Sequence, residues 1–388
     1  MKKRLAIVTT HPIQYYAPLF RLLAQSAALE IKVFYTKGKP DAQQYEPDFG
    51  TSISWDIPLL DGYDYHFSEN IAHSDKGGFS SIKNPFLIKE IEEYRPESIL
   101  VFGWAYHSHL QTMRHFKGKI PVYFRGDSTL LDEKSELKTV LRRFFLSWVY
   151  RHVDVALYVG SHNKNYFKAH GLKENQLAFV PHAIENSRFQ TLNNEQETQL
   201  NTWKQELGFG DTAKVILFCG KFIGKKSPDK LLKAFLQLGD KNDIHLLFVG
   251  NGPLEENLKN TALGNKNIHF LPFQNQSMMP VVYRLGSFYC LPSSGPGETW
   301  GLAVNEAMAS GKAVLVSKKC GCSTDLVENG TNGYIFDPDI EADLEQKLQL
   351  MLNADTETMG NISAQKIIHW DITKASKSII NIVTKKQL

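Results

Sequence analysis

Short runs of apolar residues alternate along the chain with segments whose apolar positions recur at a helical period. The runs are RLAIVTT, IKVFYT, SILVFG, KIPVYFRG and VDVALYVG in the first half, and VILFCG, HLLFVG, FYCLP and AVLVS in the second. Runs that are apolar at nearly every position are typical of strands buried on both faces of a parallel sheet. Because helical segments separate them, the pattern predicts an α/β fold in both halves of the chain.

The length of the chain indicates more than one domain, because a single core rarely grows beyond about 250–300 residues and the chain has 388. Residues 189–211 are polar and nearly free of strand pattern, so the domain boundary is predicted there. The prediction is two Rossmann-like domains, residues 1–190 and 191–365, facing each other across a cleft. Residues 366–388 have an amphipathic pattern and are predicted to form a C-terminal helix that packs back on the first domain.

Composition and charge are those of a soluble globular protein, with 42% hydrophobic and 22% charged residues and a net charge of +3. The charge is mixed along the chain and does not indicate a nucleic-acid partner. No apolar run is long enough for a signal peptide core or a membrane span, so a cytoplasmic location is expected. The four cysteines are expected to be reduced thiols, and no acidic cluster indicates a metal site.

Two lysines follow a predicted strand in the second half and are suited to phosphate. The strand VILFC ends at Gly220, and Lys221 and Lys226 lie in the loop before a helix. A solvated basic loop is the alternative interpretation. The next strand is followed by Gly-x-Gly, but the third glycine of a dinucleotide fingerprint is Glu255, which argues against an NAD site.

Two glutamates accompany a second predicted anion site in the segment GPGETWGLAVNEAMASG. The helix is predicted to begin at about Thr299, so that the free N–H groups of Thr299, Trp300 and Gly301 would bind an anion. Glu298 stands at that start and Glu306 two turns on, so that both can line one rim of a site. Carboxylates can accept hydrogen bonds from vicinal sugar hydroxyls, whereas helix capping and a surface charge are the alternative.

The two lysines and two glutamates together predict a site for a nucleotide sugar, with the lysines on the diphosphate and the glutamates on hydroxyl groups. Phe273 follows another predicted strand. It either forms a wall for the base or packs in the core.

At these residues the chain resembles glycosyltransferase family 4, whose members have the GT-B fold. The resemblance spans nearly the whole chain and is most specific in the second half, where Glu298 and Glu306 match the E-x7-E element. Lys221 and Lys226 match the basic pair, although the first is more often Arg and the following Gly is Ser227 here. His182 and Ala183 stand where Asn and Gly are more usual.

The resemblance implies a retaining, metal-independent transfer of a sugar from a nucleotide diphosphate, with UDP favoured, and no further cofactor. It assigns the ribose to Glu306, the sugar ring to Glu298 and the diphosphate to Lys221 and Lys226. It also implies a glycan or lipid-linked acceptor, in polysaccharide assembly at a bacterial envelope. Two alternatives stay open: a nucleotide-sugar epimerase or hydrolase of the same fold, and a catalytically silent donor-binding subunit.

Acceptor-side candidates in the first half also follow predicted strands. His11, Gln14 and Tyr15 follow the first strand, in a place where many relatives have a glycine-rich loop. A structural role for Tyr15 or Tyr16 against the sheet is the alternative. Arg125 and Asp127 follow KIPVYF, where relatives often have a histidine; an Arg125–Asp127 structural pair is the alternative. FGWAYHSHL adds His107 and His109 after a third strand, with His109 as the candidate; an ordinary loop histidine is the alternative.

Residues 134–151 form a basic amphipathic pattern with apolar residues on one helical face and lysines and arginines around it. Such a pattern is typical of a helix that lies on an anionic membrane surface. A helix that packs on the core with a solvated basic edge has the same pattern, so both interpretations stay open.

Overall fold

The chain folds into two compact units that do not follow a single cut in the sequence. The computed structural model describes residues 2–39, 44–46, 51–72, 77–133, 137–239, 243–340 and 342–385. Unit 1 comprises Met1–Gln43, Pro58–His182 and Ile372–Leu388, and unit 2 comprises Gln44–Ile57 and Ala183–Asp371. The longer segment of unit 2 thus begins at Ala183, eight residues before the predicted start of the second domain at residue 191, and ends at Asp371.

The strands of the described part of the chain are short and mostly buried. In chain order they are β1 Lys3–Thr9, β2 Leu29–Tyr35, β3 Gln44–Glu46, β4 Thr51–Ile53, β5 Asp64–Phe67, β6 Ser98–Phe102, β7 Val122–Arg125, β8 Val155–Tyr158, β9 Leu177–Phe179, β10 Lys214–Cys219, β11 Ile244–Val249, β12 Ile268–Leu271, β13 Phe288–Leu291, β14 Ala313–Ser317 and β15 Gly333–Phe336.

Helices separate most of these strands. They are α1 Ala17–Gln25, α2 Leu87–Tyr94, α3 His107–Phe116, α4 Leu137–Tyr150, α5 Ser161–Ala169, α6 Ser187–Gln190, α7 Asn194–Glu206, α8 Pro228–Gln237, α9 Glu255–Thr261, α10 Met279–Leu285, α11 Leu302–Ala309, α12 Ser323–Leu326, α13 Asp343–Asn353, α14 Thr356–Ile367 and α15 Ile372–Thr384. Within the described ranges, no helix combines the length and the apolar character needed to cross a membrane.

Each unit is built around one parallel sheet. The sheet of unit 1 has the order β5-β2-β1-β6-β7-β8-β9, and that of unit 2 the order β12-β11-β10-β13-β14-β15. Every pairing in these two sheets is parallel, whereas β3 and β4 form a separate antiparallel pair. The predicted α/β class with two parallel sheets is therefore confirmed.

The apolar runs of the sequence form the central strands, whose side chains are buried on both faces. In unit 2, Ile216, Phe218 and Phe248 from such strands lie in one apolar core with α8 and α13. The sequence pattern does not predict β5, β9 and β15, which lie at sheet edges and are only three or four residues long. Because an edge strand is covered less completely, its sequence does not need a continuous apolar run.

The last helix of the described chain, α15, belongs to unit 1. It contacts α1 and β1, and the Lys3 Nζ donates to the Val383 carbonyl at 3.1 Å. Its residues Ile372, Ala375, Ile379 and Val383 are buried and recur at the helical spacing that the sequence shows. The polar segment 189–211, predicted as the boundary, instead contributes α7 to unit 2.

His109 lies in the core of unit 1, on α3, and not in a loop as the sequence suggests. Its Nδ1 lies 3.1 Å from the Phe102 carbonyl and 3.0 Å from that of Gly103, and its Nε2 lies 2.8 Å from the Thr36 hydroxyl. Burial lowers the pKa of His109 to about 4, although the two carbonyls oppose the shift. The neutral ring thus donates from Nδ1 and accepts at Nε2, which joins the ends of β2 and β6.

The free energy of unfolding is expected to fall as the pH is lowered from 6.5 to 4. In this interval unfolded His109 binds a proton at its ordinary pKa of about 6.5, whereas folded His109 stays neutral until about pH 4. The unfolded state binds more protons and is therefore favoured, by at most about 3 kcal/mol from this residue. Denaturant unfolding of the wild type and His109→Gln at several pH values measures the slope, which should be shallower in the variant.

The exposed neighbour His107 provides the matched control, because it lies on the same helix. His107→Gln should keep the wild-type dependence on pH. Equal slopes for the wild type and His109→Gln would contradict the assignment.

Candidate active site

The predicted donor residues lie in two loops that leave neighbouring strands of unit 2. Strands β10 and β13 pair directly, and β10 is flanked by β11 on its other side, so the order of strands reverses there. Open α/β sheets bind ligands at the carboxyl ends of strands at such a reversal. The loops after β10 and β13 carry Lys221 and Lys226, and Glu298, respectively.

Tight backbone contacts determine the course of the loop after β10. Gly220 donates its N–H to the Val249 carbonyl at 3.0 Å, and a Cβ at Gly250 would lie 2.0 Å from the Gly220 oxygen. The Gly-x-Gly sequence after β11 therefore allows two loops to approach each other. A Cβ at its second glycine, Gly252, would lie 2.7 Å from the Phe222 oxygen.

Ser227 joins the two loops. Its hydroxyl lies 2.6 Å from that of Ser294 in the loop after β13. Its backbone has a φ of 51°, in the left-handed region, which favours glycine. That conformation accounts for the glycine that the resembled family has at this position.

A buried ion pair stands where the two loops meet. Lys226 Nζ lies 2.7 Å from Glu298 Oε2, and the Ser293 hydroxyl donates to the same oxygen at 3.0 Å. The Glu298 side chain is 7% exposed and that of Lys226 18%. Because both side chains are largely buried, each charge is stabilised mainly by its partner.

Burial and charge act in opposite directions on both members of this pair. Burial disfavours the charged form of Lys226, but the Glu298 carboxylate outweighs it and raises the pKa of Lys226. Burial likewise disfavours the charged form of Glu298, but the Lys226 ammonium outweighs it and lowers the pKa of that carboxyl. Both groups are consequently charged at neutral pH.

The donor loop, defined here as residues 297–301, is held by its backbone carbonyls. Lys225 Nζ donates to the Gly297 oxygen at 2.8 Å, Gly321 N–H to that of Glu298 at 3.0 Å and Cys322 N–H to that of Trp300 at 3.1 Å. A Cβ at Gly321 would lie 1.7 Å from the Thr299 oxygen. The turn 320–322 thus packs directly against the backbone of the donor loop and binds it with two hydrogen bonds.

The helix after this loop begins at Leu302, three residues later than the sequence predicts. Gly301 precedes it with a φ of 99°, and the carbonyls of Glu298 and Trp300 accept from the turn 320–322 instead of from a helix. Thr299, Trp300 and Gly301 are therefore loop residues, and the predicted anion site on their N–H groups does not take the form of a helix start. Trp300 is buried, and its Nε1 donates to Asn305 Oδ1 at 2.8 Å.

Glu306 lies inside unit 2 on α11 and not on an open rim. It is 2% exposed, and its Oε2 accepts a hydrogen bond from the Tyr283 hydroxyl at 2.8 Å. Burial raises the pKa of Tyr283 far above its ordinary value, and the nearby Cys219 and Glu306 act in the same direction. Tyr283 thus remains a donor that orients the carboxylate.

Phe273 is half-buried after β12. Its N–H donates to Asn251 Oδ1 at 2.6 Å, and its ring lies edge-on to that of Trp55 with centroids 6.3 Å apart. Trp55 belongs to the same unit through the segment Gln44–Ile57, in which Asp56 accepts from the Ser277 N–H at 3.1 Å. The Phe273 ring thus packs against Trp55, an aromatic residue from a segment distant in sequence.

The acceptor-side candidates Arg125 and Asp127 lie in unit 1 with different surroundings. Arg125 is 4% exposed, and its two terminal nitrogens donate to the Val180 and Pro181 carbonyls at 2.9 Å each. Asp127 lies 3.9 Å from His182 Nε2, and burial together with Arg125 lowers the pKa of His182 to about 4 against the effect of Asp127. The Arg125 side chain thus binds the backbone carbonyls of the segment that follows β9.

The remaining acceptor-side candidates follow β1. His11 Nδ1 lies 2.9 Å from the Thr10 hydroxyl, and Gln14 and Tyr15 are half-buried before α1. Tyr16 packs against Phe102 with ring centroids 4.8 Å apart. Among the two adjacent tyrosines, Tyr16 therefore contacts the sheet.

Sequence reasoning misses several residues of this site. Lys225 binds the Gly297 carbonyl, the Ser293 hydroxyl binds the Glu298 carboxylate and the Tyr283 hydroxyl binds the Glu306 carboxylate. No sequence motif marks these three residues, because they stand in ordinary polar loops or in an apolar helix. In the described part of the chain, no three His, Cys, Asp or Glu side chains are arranged to hold a metal ion.

Comparison with known proteins finds a family whose members resemble the second half of the chain. Residues 200–367 match the family of glycosyl transferases group 1. An uncharacterized glycosyltransferase of Haemophilus influenzae is 34% identical over 144 residues, which cover 36% of this chain and 40% of that protein. The sulfoquinovosyl transferase SQD2 of Arabidopsis thaliana is 23% identical over 336 residues, 77% of this chain and 58% of that protein. The chain thus spans less than two thirds of these relatives.

Solved structures share the fold over nearly the whole chain. HepE of Anabaena in complex with UDP has a TM-score of 0.72 and 16% identity, with 99% of this chain and 100% of that chain covered. Sucrose-phosphate synthase of Thermosynechococcus elongatus has a TM-score of 0.71 and 16% identity, with 98% of each chain covered. At such low identity these matches establish the architecture, which agrees with the predicted GT-B class.

Lys226→Met is expected to destabilise unit 2, because it leaves the Glu298 carboxylate buried without its cation. Breaking a buried ion pair by removing one partner costs about 3–5 kcal/mol. Without Lys226, burial holds the pKa of Glu298 above its unfolded value, so the loss should shrink as the pH is lowered from 7 to 5. Denaturant unfolding at both pH values measures it.

The double variant Lys226→Met/Glu298→Gln is the control, since it removes both charges. It should recover much of the lost stability. If the double variant is no more stable than Lys226→Met, the ion pair does not govern the stability of this site.

Proposed function

We propose that this chain, whose residues 200–367 match the family of glycosyl transferases group 1, transfers a hexose or related sugar from a nucleotide diphosphate to a glycan or lipid-linked acceptor. UDP is the favoured nucleotide, and the UDP bound to the solved HepE structure supports this choice. The observation that carries the proposal is the buried Lys226–Glu298 pair at the reversal point of the unit 2 sheet, with Glu306 eight residues further on.

The donor residues divide into cations for the diphosphate and carboxylates for hydroxyl groups. Lys221 and Lys226 bind the diphosphate, Glu306 binds the ribose, and Glu298 directs the sugar ring. The charged state of Lys226 supports this division, because Glu298 keeps the ammonium protonated in a buried place. The Tyr283 hydroxyl fixes one oxygen of Glu306 and thereby reduces the freedom of that carboxylate.

In the proposed reaction the bond between the anomeric carbon and the β-phosphate oxygen breaks, and the acceptor hydroxyl oxygen bonds to the same carbon from the same face. The proton of the acceptor passes to the leaving phosphate, and the configuration at the anomeric carbon is retained. Negative charge grows on the β-phosphate in the transition state, where Lys221 and Lys226 stabilise it. These cations supply the charge stabilisation that a metal ion provides in other transferases.

The acceptor-side role belongs to unit 1 in this proposal. His11, Gln14, Tyr15 and Asp127 follow the carboxyl ends of β1 and β7 and are not fully buried. His109 and Arg125 are engaged in the core with backbone carbonyls, and their role is to support these loops. The setting is polysaccharide assembly at the cytoplasmic face of a bacterial envelope.

A surface of unit 1 supports association with an anionic membrane. On α4, Val140, Leu141, Phe144, Phe145 and Trp148 are between 37% and 74% exposed. Their spacing places them along one stripe of the helix. The sequence of α4 contains no acidic residue, and Lys138, Arg142 and Arg143 are exposed. Exposed apolar groups bordered by cations fit the interface of an anionic bilayer.

The described part of this pattern is α4 and Arg151; residues 134–136 lie outside the described residues. Arg114 contributes a further cation, since its guanidinium lies 5.4 Å from the Trp148 ring centroid. The core-packing alternative applies to the opposite face, where Leu146, Val149 and Tyr150 are buried. The proposed membrane contact therefore uses only the exposed face of α4.

UDP is expected to bind the full chain, and Glu306→Gln to weaken this binding by about tenfold or more, since a hydrogen bond to a charged group contributes about 1.5–3 kcal/mol. Isothermal titration calorimetry with UDP, and with GDP for comparison, measures the affinities. Tyr283→Phe is the control, because it removes the buried hydroxyl bond but keeps the carboxylate, and it should cause a smaller loss. Equal losses in both variants would argue against ribose binding by Glu306.

Sugar transfer from UDP-glucose to glycan or lipid-linked acceptors is expected to continue in EDTA. Mass spectrometry of the products distinguishes the alternatives. Glucose released to water or an isomerised donor would identify a hydrolase or epimerase, and UDP binding without any turnover would identify a silent subunit. A strict requirement for Mg²⁺ would overturn the metal-independent mechanism.

The full chain is expected to sediment with vesicles that contain phosphatidylglycerol at low salt and not with pure phosphatidylcholine vesicles. Leu141→Ser should weaken this binding by about tenfold, because burial of a leucine side chain contributes about 1.5–3 kcal/mol. Leu263→Ser is the matched control, since Leu263 is 78% exposed in unit 2. No sedimentation, or an equal effect of both variants, would contradict membrane association through α4.

A further inference from the structure

The donor loop touches a segment of the chain that the proposed reaction does not use. The indole ring of Trp300 lies against that of Trp370, with centroids 5.0 Å apart and an angle of 31° between the planes. Trp370 ends a short 3-10 helix, Ile368–Trp370, and one residue, Asp371, separates it from α15. Aromatic pairs at this separation attract each other beyond the effect of area burial.

Trp300 is itself tied to both sides of the carboxylate site. Its Nε1 donates to Asn305, the residue before Glu306, and its carbonyl accepts from Cys322. Glu298 lies two residues before it in the same loop, and the Glu298 carbonyl accepts from Gly321. A displacement of the Trp300 ring therefore moves the backbone that carries Glu298.

The position of Trp370 is determined by the segments through which the chain enters and leaves unit 2. Asn186 Nδ2 donates to the Ile367 carbonyl at 2.8 Å, and the Asn186 N–H donates to Asp371 Oδ2 at 3.1 Å. Ile184 and Asp371 also form an isolated parallel bridge. These bonds hold residues on both sides of Trp370, so the ring is presented to Trp300 from a fixed backbone.

We propose that Trp370 is a positioning residue for the donor loop: its ring fixes Trp300 and thereby holds Glu298 in the place where it acts on the transferred sugar. Trp370 contacts neither the nucleotide nor the sugar. The inference rests on the proposed function in its assignment of Glu298 to the sugar and of Glu306 to the ribose. It adds a residue that lies 72 positions from Glu298 in the sequence.

This assignment predicts a specific division of effects. The proposed contacts to UDP come from the loop after β10 and from α11, and Trp370 is linked to α11 only through the hydrogen bond from Trp300 to Asn305. The contact to the sugar comes from the donor loop, which Trp370 does support. Loss of the Trp370 ring should therefore affect UDP-glucose turnover and leave UDP binding nearly unchanged.

The test compares Trp370→Leu and Trp370→Phe in the full chain. Trp370→Leu should lower kcat/KM for UDP-glucose about three- to tenfold, the range that corresponds to one aromatic pair, with UDP affinity close to that of the wild type. Trp370→Phe keeps an aromatic ring and should recover much of the loss. Trp203→Leu is the matched control, because Trp203 is a half-buried tryptophan on α7 of the same unit.

Amide hydrogen exchange measured by mass spectrometry gives a readout that does not depend on the proposed reaction. Peptides that cover the donor loop should exchange faster in Trp370→Leu than in the wild type and Trp203→Leu. An unchanged loop, or UDP affinity that falls as much as kcat/KM, would overturn the positioning role. Wild-type protein that neither binds UDP nor transfers sugar would instead overturn the proposed function, and the exchange result would still decide on the coupling.

Discussion

The buried ion pair between Lys226 and Glu298 is the interaction on which the site depends. Neither charge would be stable in this place alone, because removing an ion from water costs several kcal/mol unless a partner compensates it. The pair brings together two loops from neighbouring strands, and Ser293 completes the coordination of the carboxylate. The pair also keeps the Lys226 ammonium protonated near the carboxyl ends of β10 and β13, where α/β proteins bind ligands. The same interaction therefore contributes to the stability of unit 2 and to its proposed chemistry.

The backbones of the loops around the ion pair approach one another closely. Gly250 and Gly321 stand at positions where a Cβ would lie within 2.0 Å of a neighbouring carbonyl oxygen. At both positions glycine allows two loops to lie in close contact, because a Cβ would collide with the neighbouring carbonyl oxygen. The loops after β10, β11 and β13 and the turn 320–322 thus form one layer of polar backbone, and the donor loop occupies a defined position on it.

Agreement between sequence and structure is best where a single segment carries the signal. The apolar runs predict the central parallel strands, since a strand covered on both faces must be apolar throughout. The lysine and glutamate spacings select the loops that the structure brings together. The edge strands, the start of α11 and the location of His109 are not predicted correctly. Each of these depends on a partner elsewhere in the chain, such as the turn 320–322 for the donor loop and Thr36 for His109.

The sequence by itself determined the α/β class and which acidic and basic side chains follow the strands of the second half. It did so because period and composition are local properties of a segment. Only the tertiary structure decided that Glu298 is paired, that Tyr283 orients Glu306 and that Trp370 meets Trp300. These are contacts between residues 23–72 positions apart in the chain. Burial changes the free energy of a charge or a hydroxyl according to its neighbours in space, and no local pattern contains that information.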